Sequence, residues 1–191
     1  IEFKAKIDDS TGTYEVRLDG VSIISGTGAD TRNAGNATAD RVKFGPSVAG
    51  NATIDDRMDD VYINDDQGST NNDFLGDVRI ECLFPNGNGN SSQLVGSDAD
   101  STNNYLLVDE STPNSDTDYV ESSTVGDKDT YAMTNLTSTT GTVYAVQILP
   151  FARKTDAGTR SIKSVARLSA TEVDSADKPL STGYTYLPDI R

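Results

Sequence analysis

Histidine is absent from the chain, and its absence removes more chemistry than any residue present supplies. Without an imidazole there is no Ser-His-Asp or Cys-His catalysis and no His-ligated metal centre. Cysteine occurs once, at Cys82, so no internal disulfide can form. Cys82 falls on the apolar side of an alternating run, where a free thiol is expected to be a small buried hydrophobe. Basic side chains are few: 16 Lys and Arg against 30 Asp and Glu give a formal charge of −14. Nucleic acid and anionic membrane surfaces, which bind through clustered cations, are therefore disfavoured partners. No apolar run approaches the ~20 residues of a spanning helix and no signal-like apolar segment is present, so membrane insertion is not expected. Glutamate is scarce too, at Glu2, Glu15, Glu81, Glu110, Glu121 and Glu172 only. The remaining acids are Asp, which favours turns where Glu favours helices, and the chain reads as all-β.

What is present is a series of short alternating runs between Asn, Asp, Gly and Ser clusters. At 191 residues and 35% hydrophobic content the chain can form one large or two small β domains. Glu2–Ile7 alternates. Tyr14, Val16 and Leu18 share one face with Glu15 and Arg17 opposite, and Asp19-Gly20 before Val21–Ile24 is a strong hairpin signal. Arg41–Phe44, closed by Gly45-Pro46, and Val61–Ile63 are the next expected strands. From Asp77 onward strands are expected at Val78–Phe84, Tyr105–Val108, Asp118–Val120, Thr130–Met133, Thr142–Leu149, Arg160–Leu168 and Tyr184–Tyr186, enough for a second antiparallel β-sandwich. Thr142–Leu149 is the most apolar of these and reads as a central strand, with Pro150 marking a bulge or a strand end. Phe151–Lys154 and Thr159–Lys163, around Thr155–Gly158, read as a second hairpin carrying much of the basic charge.

The acid- and amide-rich stretch from Ile54 to Gly76 organises this reading, with Gly68–Gly76 as the joint between two domains, 1–75 and 76–191. Within it Met58-Asp59-Asp60-Val61-Tyr62-Ile63-Asn64-Asp65, followed by Asn71-Asn72-Asp73-Phe74-Leu75-Gly76-Asp77-Val78-Arg79-Ile80, resembles a family of tailed-phage virion structural proteins. The front half of that family is a concanavalin A-like (laminin G-like) jelly roll. Tyr14–Val21 resembles the late hairpin of such jelly rolls, while Pro85–Gly89, Asp118–Val120 and Ala152–Gly158 resemble the second half of those virion proteins. The resemblance implies that residues 1–75 are the C-terminal part of a jelly roll. Four or five strands are too few to close one, so the remainder is expected upstream of Ile1 or from another chain, and a start at Ile rather than Met suggests processed or missing upstream sequence. No catalytic residue is carried over with the resemblance.

The Asp-rich run would suit a hard cation such as calcium, with Asp55, Asp56, Asp65 and Asp66 as candidate ligands. It lacks the D-x-D-x-D-G register and a closing Glu, as does Asp98–Asn104, and solvated turns are the plainer reading. Concanavalin-like folds also host glycoside hydrolases, but their E-x-D-x-x-E strand is missing, and adjacent carboxylates such as Asp59 and Asp60 would point to opposite faces of a strand. No enzymatic activity and no cofactor are expected. The sequons at Asn36, Asn51, Asn90 and Asn135 matter only in a secreted protein. Tyr105, Tyr119, Tyr131, Tyr144, Tyr184 and Tyr186 could stack on a sugar, although strand aromatics are more often cross-strand pairs.

The expected function is therefore that of a non-enzymatic virion surface protein: a capsid decoration, a head fibre or a tail-associated adhesion component. Its expected partners are further copies of itself and other virion proteins. The alternative is a lectin-like module that binds a cell-surface glycan. Interface candidates are Arg153, Lys154, Arg160 and Lys163, which could meet the acidic loops holding Asp109, Glu110, Asp116 and Asp118 on another copy.

Overall fold

Strict alternation builds the first element. In the computed structural model, which describes residues 1–32, 35, 38, 39, 41–45, 55, 57–138 and 140–191, strands β1 (Glu2–Lys6), β2 (Gly12–Leu18) and β3 (Val21–Ala29) form an antiparallel sheet in that order. Asp19 and Gly20 both take positive φ, 50° and 76°, as a type I′ hairpin turn requires. Leu18 pairs with Val21, Arg17 with Ser22 and Val16 with Ile24, which leaves Ile23 as a bulge. That extra residue matters because Val21-Ser22-Ile23-Ile24-Ser25-Gly26 does not alternate by itself. With Ile23 absorbed, Ser22 and Ser25 join the polar face and Val21, Ile24 and Gly26 the apolar one.

The chain divides into two compact units, Ile1–Ile80 and Glu81–Arg191, and Gly68–Gly76 lies inside the first. Glu81–Arg191 contains β4 (Pro85–Ser92), β5 (Val95–Gly96), a 3-10 turn at Asn104–Leu107, β6 (Val120–Glu121), β7 (Asp129–Met133) and eight further short strands. β4 pairs with β7 and β5 with β6, both antiparallel. The eight remaining strands are β8 (Gln147–Ile148), β9 (Phe151–Ala152), β10 (Ser161–Ile162), β11 (Val165–Leu168), β12 (Thr171–Asp174), β13 (Lys178–Pro179), β14 (Thr185–Tyr186) and β15 (Asp189–Ile190). They nest as β8–β15, β9–β14, β10–β13 and β11–β12. Residues 146–191 are thus one long interrupted hairpin: Val146 and Arg191 exchange both amide hydrogen bonds at 2.9 Å at its base, and the chain reverses at Ser169-Ala170.

The architecture is all-β, with no α-helix among the described residues and no helix long and apolar enough to cross a membrane. Several expected strands are not formed. Val61–Ile63 is irregular: Asp60 sits at a φ of 52°, and Tyr62 is held through its hydroxyl rather than by a ladder. In Val78–Phe84, the Ile80 amide donates to the Asp60 carboxylate at 2.7 Å and the Phe84 amide to the Thr134 hydroxyl at 3.1 Å, so side chains take donors that a strand would need. Cys82, in that same segment, is exposed rather than buried. Arg41–Phe44 is not a strand, and Pro46 after it lies outside the described residues. Tyr105–Val108 falls largely in the 3-10 turn, entered through Asn103 at a φ of 58°. Only Gln147 and Ile148 of Thr142–Leu149 are in a strand. The hairpin read across Phe151–Lys163 does not form, because β9 and β10 pair with β14 and β13 instead of with each other. Pro150 does separate two strands, β8 and β9, as its missing amide hydrogen requires.

Candidate interaction surface

The β1–β3 sheet has one face of each kind. Register places Phe3, Ala5, Tyr14, Val16, Leu18, Val21, Ile24 and Gly26 on one side and Glu2, Lys4, Lys6, Thr13, Glu15, Arg17, Ser22 and Ser25 on the other. The polar side is the one the chain covers. Tyr62 donates its hydroxyl hydrogen to the Glu2 carboxylate, which also accepts from the Gly76 amide at 2.9 Å. The Leu75 amide donates to the Tyr62 hydroxyl oxygen at 3.2 Å. Lys4 pairs with Asp73 at 3.0 Å, and the Arg17 guanidinium lies 3.9 Å from the centroid of the Phe74 ring while pairing with Glu15 at 2.8 Å. The Tyr62 hydrogen bond, together with the Gly76 amide, holds the Glu2 carboxyl below its ordinary value, while partial burial raises that of Tyr62.

The apolar side is left open. Phe3 is 69% exposed, Val21 66% and Ile24 54%, although Tyr14 lays its ring over Gly26, where any Cβ would sit 2.6 Å from it. Open apolar surface is general: no hydrophobic residue is buried among the described ones. The chain exposes 14168 Å², whereas two separately folded domains of these lengths would expose about 10,600 Å² by the usual scaling of surface with mass.

In Glu81–Arg191 the best-buried side chain is polar. Asn104 is 0% exposed and donates to the Leu94 carbonyl at 2.9 Å and to Asp129 at 2.6 Å. Asp129 also accepts from the Gln93 and Leu94 amides at 2.6 and 2.9 Å and from the Tyr131 hydroxyl at 3.0 Å. Burial, reinforced by the Asp129 charge, pushes the Tyr131 phenol well above its ordinary value. Sequence reasoning missed this hub because Asn104 and Asp129 sit in turn-like sequence with no apolar period. Of the two sequons read there, Asn90 lies on β4 and Asn135 in a loop; those at Asn36 and Asn51 lie outside the described residues.

The four basic interface candidates are close together in sequence but differ in state. Arg153 pairs with Asp116 at 2.8 Å and stands 5.1 Å from the Tyr184 ring centroid; Arg160 pairs with Asp156 at 2.6 Å. Lys154 donates to the Gly158 carbonyl at 2.5 Å, and Lys163 is exposed. Of the acidic residues expected opposite them, Asp116 is thus held within the same chain, and Glu110 and Asp118 both accept from Asn114, at 3.1 and 2.7 Å. The Phe151 ring stacks on Tyr184 at 5.0 Å and meets Tyr186 at 4.6 Å, so the tyrosines of the ribbon form a cross-strand cluster.

Among the calcium candidates, Asp55 pairs with Arg57 at 3.2 Å, Asp65 accepts from the Gln67 amide at 3.0 Å, and Asp66 accepts from the Gln67 side chain at 3.1 Å. Asp56, like Ile54, lies outside the described residues. Among the described residues no three acidic or thiol side chains converge as a cation site would need. Comparison with protein-family models, with curated proteins and with solved structures found no match.

Proposed function

We propose that the chain is a non-enzymatic structural subunit of a virus-particle surface, a decoration, fibre or tail-associated component, that works as a homo-oligomer. One observation carries the reading: the sheet of Ile1–Ile80 turns its apolar face outward while no apolar side chain is buried among the described residues. A soluble domain stabilised by its own core does the opposite, because apolar burial is the dominant favourable term in folding. A subunit that acquires its core on assembly fits this surface, as obligate interfaces resemble a domain core cut in half. The resemblance of Met58–Asp65 and Asn71–Ile80 to tailed-phage virion proteins supplies the particle and the concanavalin A-like jelly roll. A glycan-binding role stands second, since the Tyr184 ring and hydroxyl are already engaged by Phe151 and Asp116.

Two measurements test the proposal. Peptide mass spectrometry on purified particles from the source should find the chain at a fixed copy number, and its absence from intact particles would sink the virion reading. A panel of polysaccharides should pass through purified protein unhydrolysed; turnover lost on mutating one Asp would make the chain a hydrolase.

A further inference from the structure

We infer that the 146–191 ribbon is an arm held against the 81–145 part of its own unit by opposite charge, and that it lifts off in one piece when that charge is screened. Composition divides the unit. Residues 81–145 hold ten Asp and Glu and a single cation, Lys128, whereas 146–191 hold seven Lys and Arg against five acids. A mildly positive ribbon therefore lies on a strongly negative body, and the two charge distributions attract beyond the pairs in direct contact.

Charged groups make the contacts that bridge them. Lys128 donates to Glu172 at 2.6 Å near the ribbon's tip, and Asp116 accepts from Arg153 at 2.8 Å and from the Tyr184 hydroxyl at 2.9 Å nearer its base. Among the described residues no strand of the ribbon packs broadly on β4–β7 or on the 3-10 turn, and Val146, Leu149, Val173 and Ile190 stay exposed. The ribbon holds itself together instead. The Ser175 and Leu180 amides donate across it at 2.8 and 2.9 Å, the Phe151, Tyr184 and Tyr186 rings cluster, and Asp189 pairs with Lys178 and Arg191 at 3.7 and 2.8 Å. Release leaves neither contact charge of the ribbon alone: Glu172 keeps Arg167 at 3.8 Å, and Arg153 keeps the Tyr184 ring. Partly exposed pairs of this kind are weak singly and yield to salt.

Double electron–electron resonance on the full chain is the test, with Cys82→Ser as background and spin labels at Val125→Cys and Leu168→Cys, exposed positions close in sequence to Lys128 and Glu172. In dilute buffer the labels should give one short distance. Salt at about 1 M, where the Debye length falls to about 3 Å, should shift the docked-to-lifted ratio at least about tenfold toward longer distances, the change that two weak ion pairs supply together. The Ser175 and Leu180 amides should stay protected from hydrogen exchange throughout. Lys128→Glu with Asp116→Lys should lift the ribbon in dilute buffer. A distance that salt leaves unchanged overturns the inference, and a double reversal that stays docked overturns these two contacts as its seat. A lengthening in which the ribbon amides lose protection also overturns it, because the ribbon then melts rather than lifts. Should the double reversal fail to fold, the salt series alone decides, since it leaves every contact residue in place.

Discussion

The two units solve the problem of a small core in opposite ways. Ile1–Ile80 has a sheet whose sequence alternates cleanly, yet it covers the charged face of that sheet with Tyr62, Phe74 and Leu75 and leaves Phe3 and Ile24 in water. Glu81–Arg191 has no such alternation around its best-buried point, where Asn104 and Asp129 tie the link between β4 and β5, β7 and the 3-10 turn together by hydrogen bonds. The first unit is ordered by a pattern whose apolar half is exposed, and the second by a polar network around Asn104 and Asp129 in which the buried Asn104 Oδ1 has no hydrogen-bond partner. Alternation determines which way side chains point; it does not determine which face the protein covers.

The comparison breaks most visibly at Asp129. Truncation to Ala removes the acceptor of four donors, of which the Gln93 amide and the Asn104 side chain keep a carbonyl partner, and with charge-assisted bonds in a partly buried site the loss should be about 3 kcal/mol. It should appear in hydrogen exchange as loss of protection at the Gln93 and Leu94 amides, with the amides of β2 unaffected. If the two units lose protection together, the hub is not local to Glu81–Arg191.

The next largest effect belongs to the polar seam of the first unit. Tyr62→Phe removes the hydroxyl shared by Glu2 and Leu75 and should cost about 1 kcal/mol. The same seam gives acid sensitivity. The carboxyls of Glu2 and Asp73 are held below their ordinary values of 4.5 and 3.8, by Tyr62 and by Lys4 respectively, and the amides of Ser10 and Thr11 depress Asp8 from 3.8 to about 2. A depressed carboxyl contributes stability above its unfolded value and loses it as pH falls through its folded value. The first unit should therefore lose stability from pH 4.5 downward, with the Asp8 contribution gone only near pH 2. Glu2→Gln should flatten the upper part of that slope in acid titrations followed by tyrosine fluorescence, and an unchanged slope would remove Glu2 from the account.

How far the sequence was legible follows from which atoms do the holding. The Asp19-Gly20 hairpin could be read because backbone turn chemistry and side-chain alternation agree there. Val78–Phe84 has strand-like side chains, but the Asp60 carboxylate and Thr134 hydroxyl claim its Ile80 and Phe84 amides, which a ladder would use, and those competing acceptors lie 20 and 50 residues away. β4 was unreadable for the converse reason. Pro85-Asn86-Gly87-Asn88-Gly89 is turn sequence, yet it pairs with β7 through register shifts because Gly89 lets the backbone close on Thr130, where any Cβ would sit 2.4 Å from the threonine carbonyl oxygen. Arg153 and Arg160 were legible as cations; that Asp116 and Asp156 of the same chain hold them was not.

The smallest effect expected lies in the second of two turns that do the same task with different residues. Asp19-Gly20 joins β2 to β3 with glycine at the second positive φ, while Ser169-Ala170 joins β11 to β12 with a serine at a φ of 56°. A Cβ in that region crowds the following backbone, and glycine removes the strain while adding freedom to the unfolded chain, so the two terms largely offset. Ser169→Gly should therefore stabilise the ribbon by roughly 0.5 kcal/mol, whereas Gly20→Ala, with the same terms reversed and no loss of strain to gain, should destabilise its hairpin by about 1 kcal/mol. Urea titrations of both variants would place them on opposite sides of the parent midpoint. If Ser169→Gly falls on the destabilised side, the serine conformation is favoured by the turn, and the ribbon is closed there by local bonding that the first hairpin does not use.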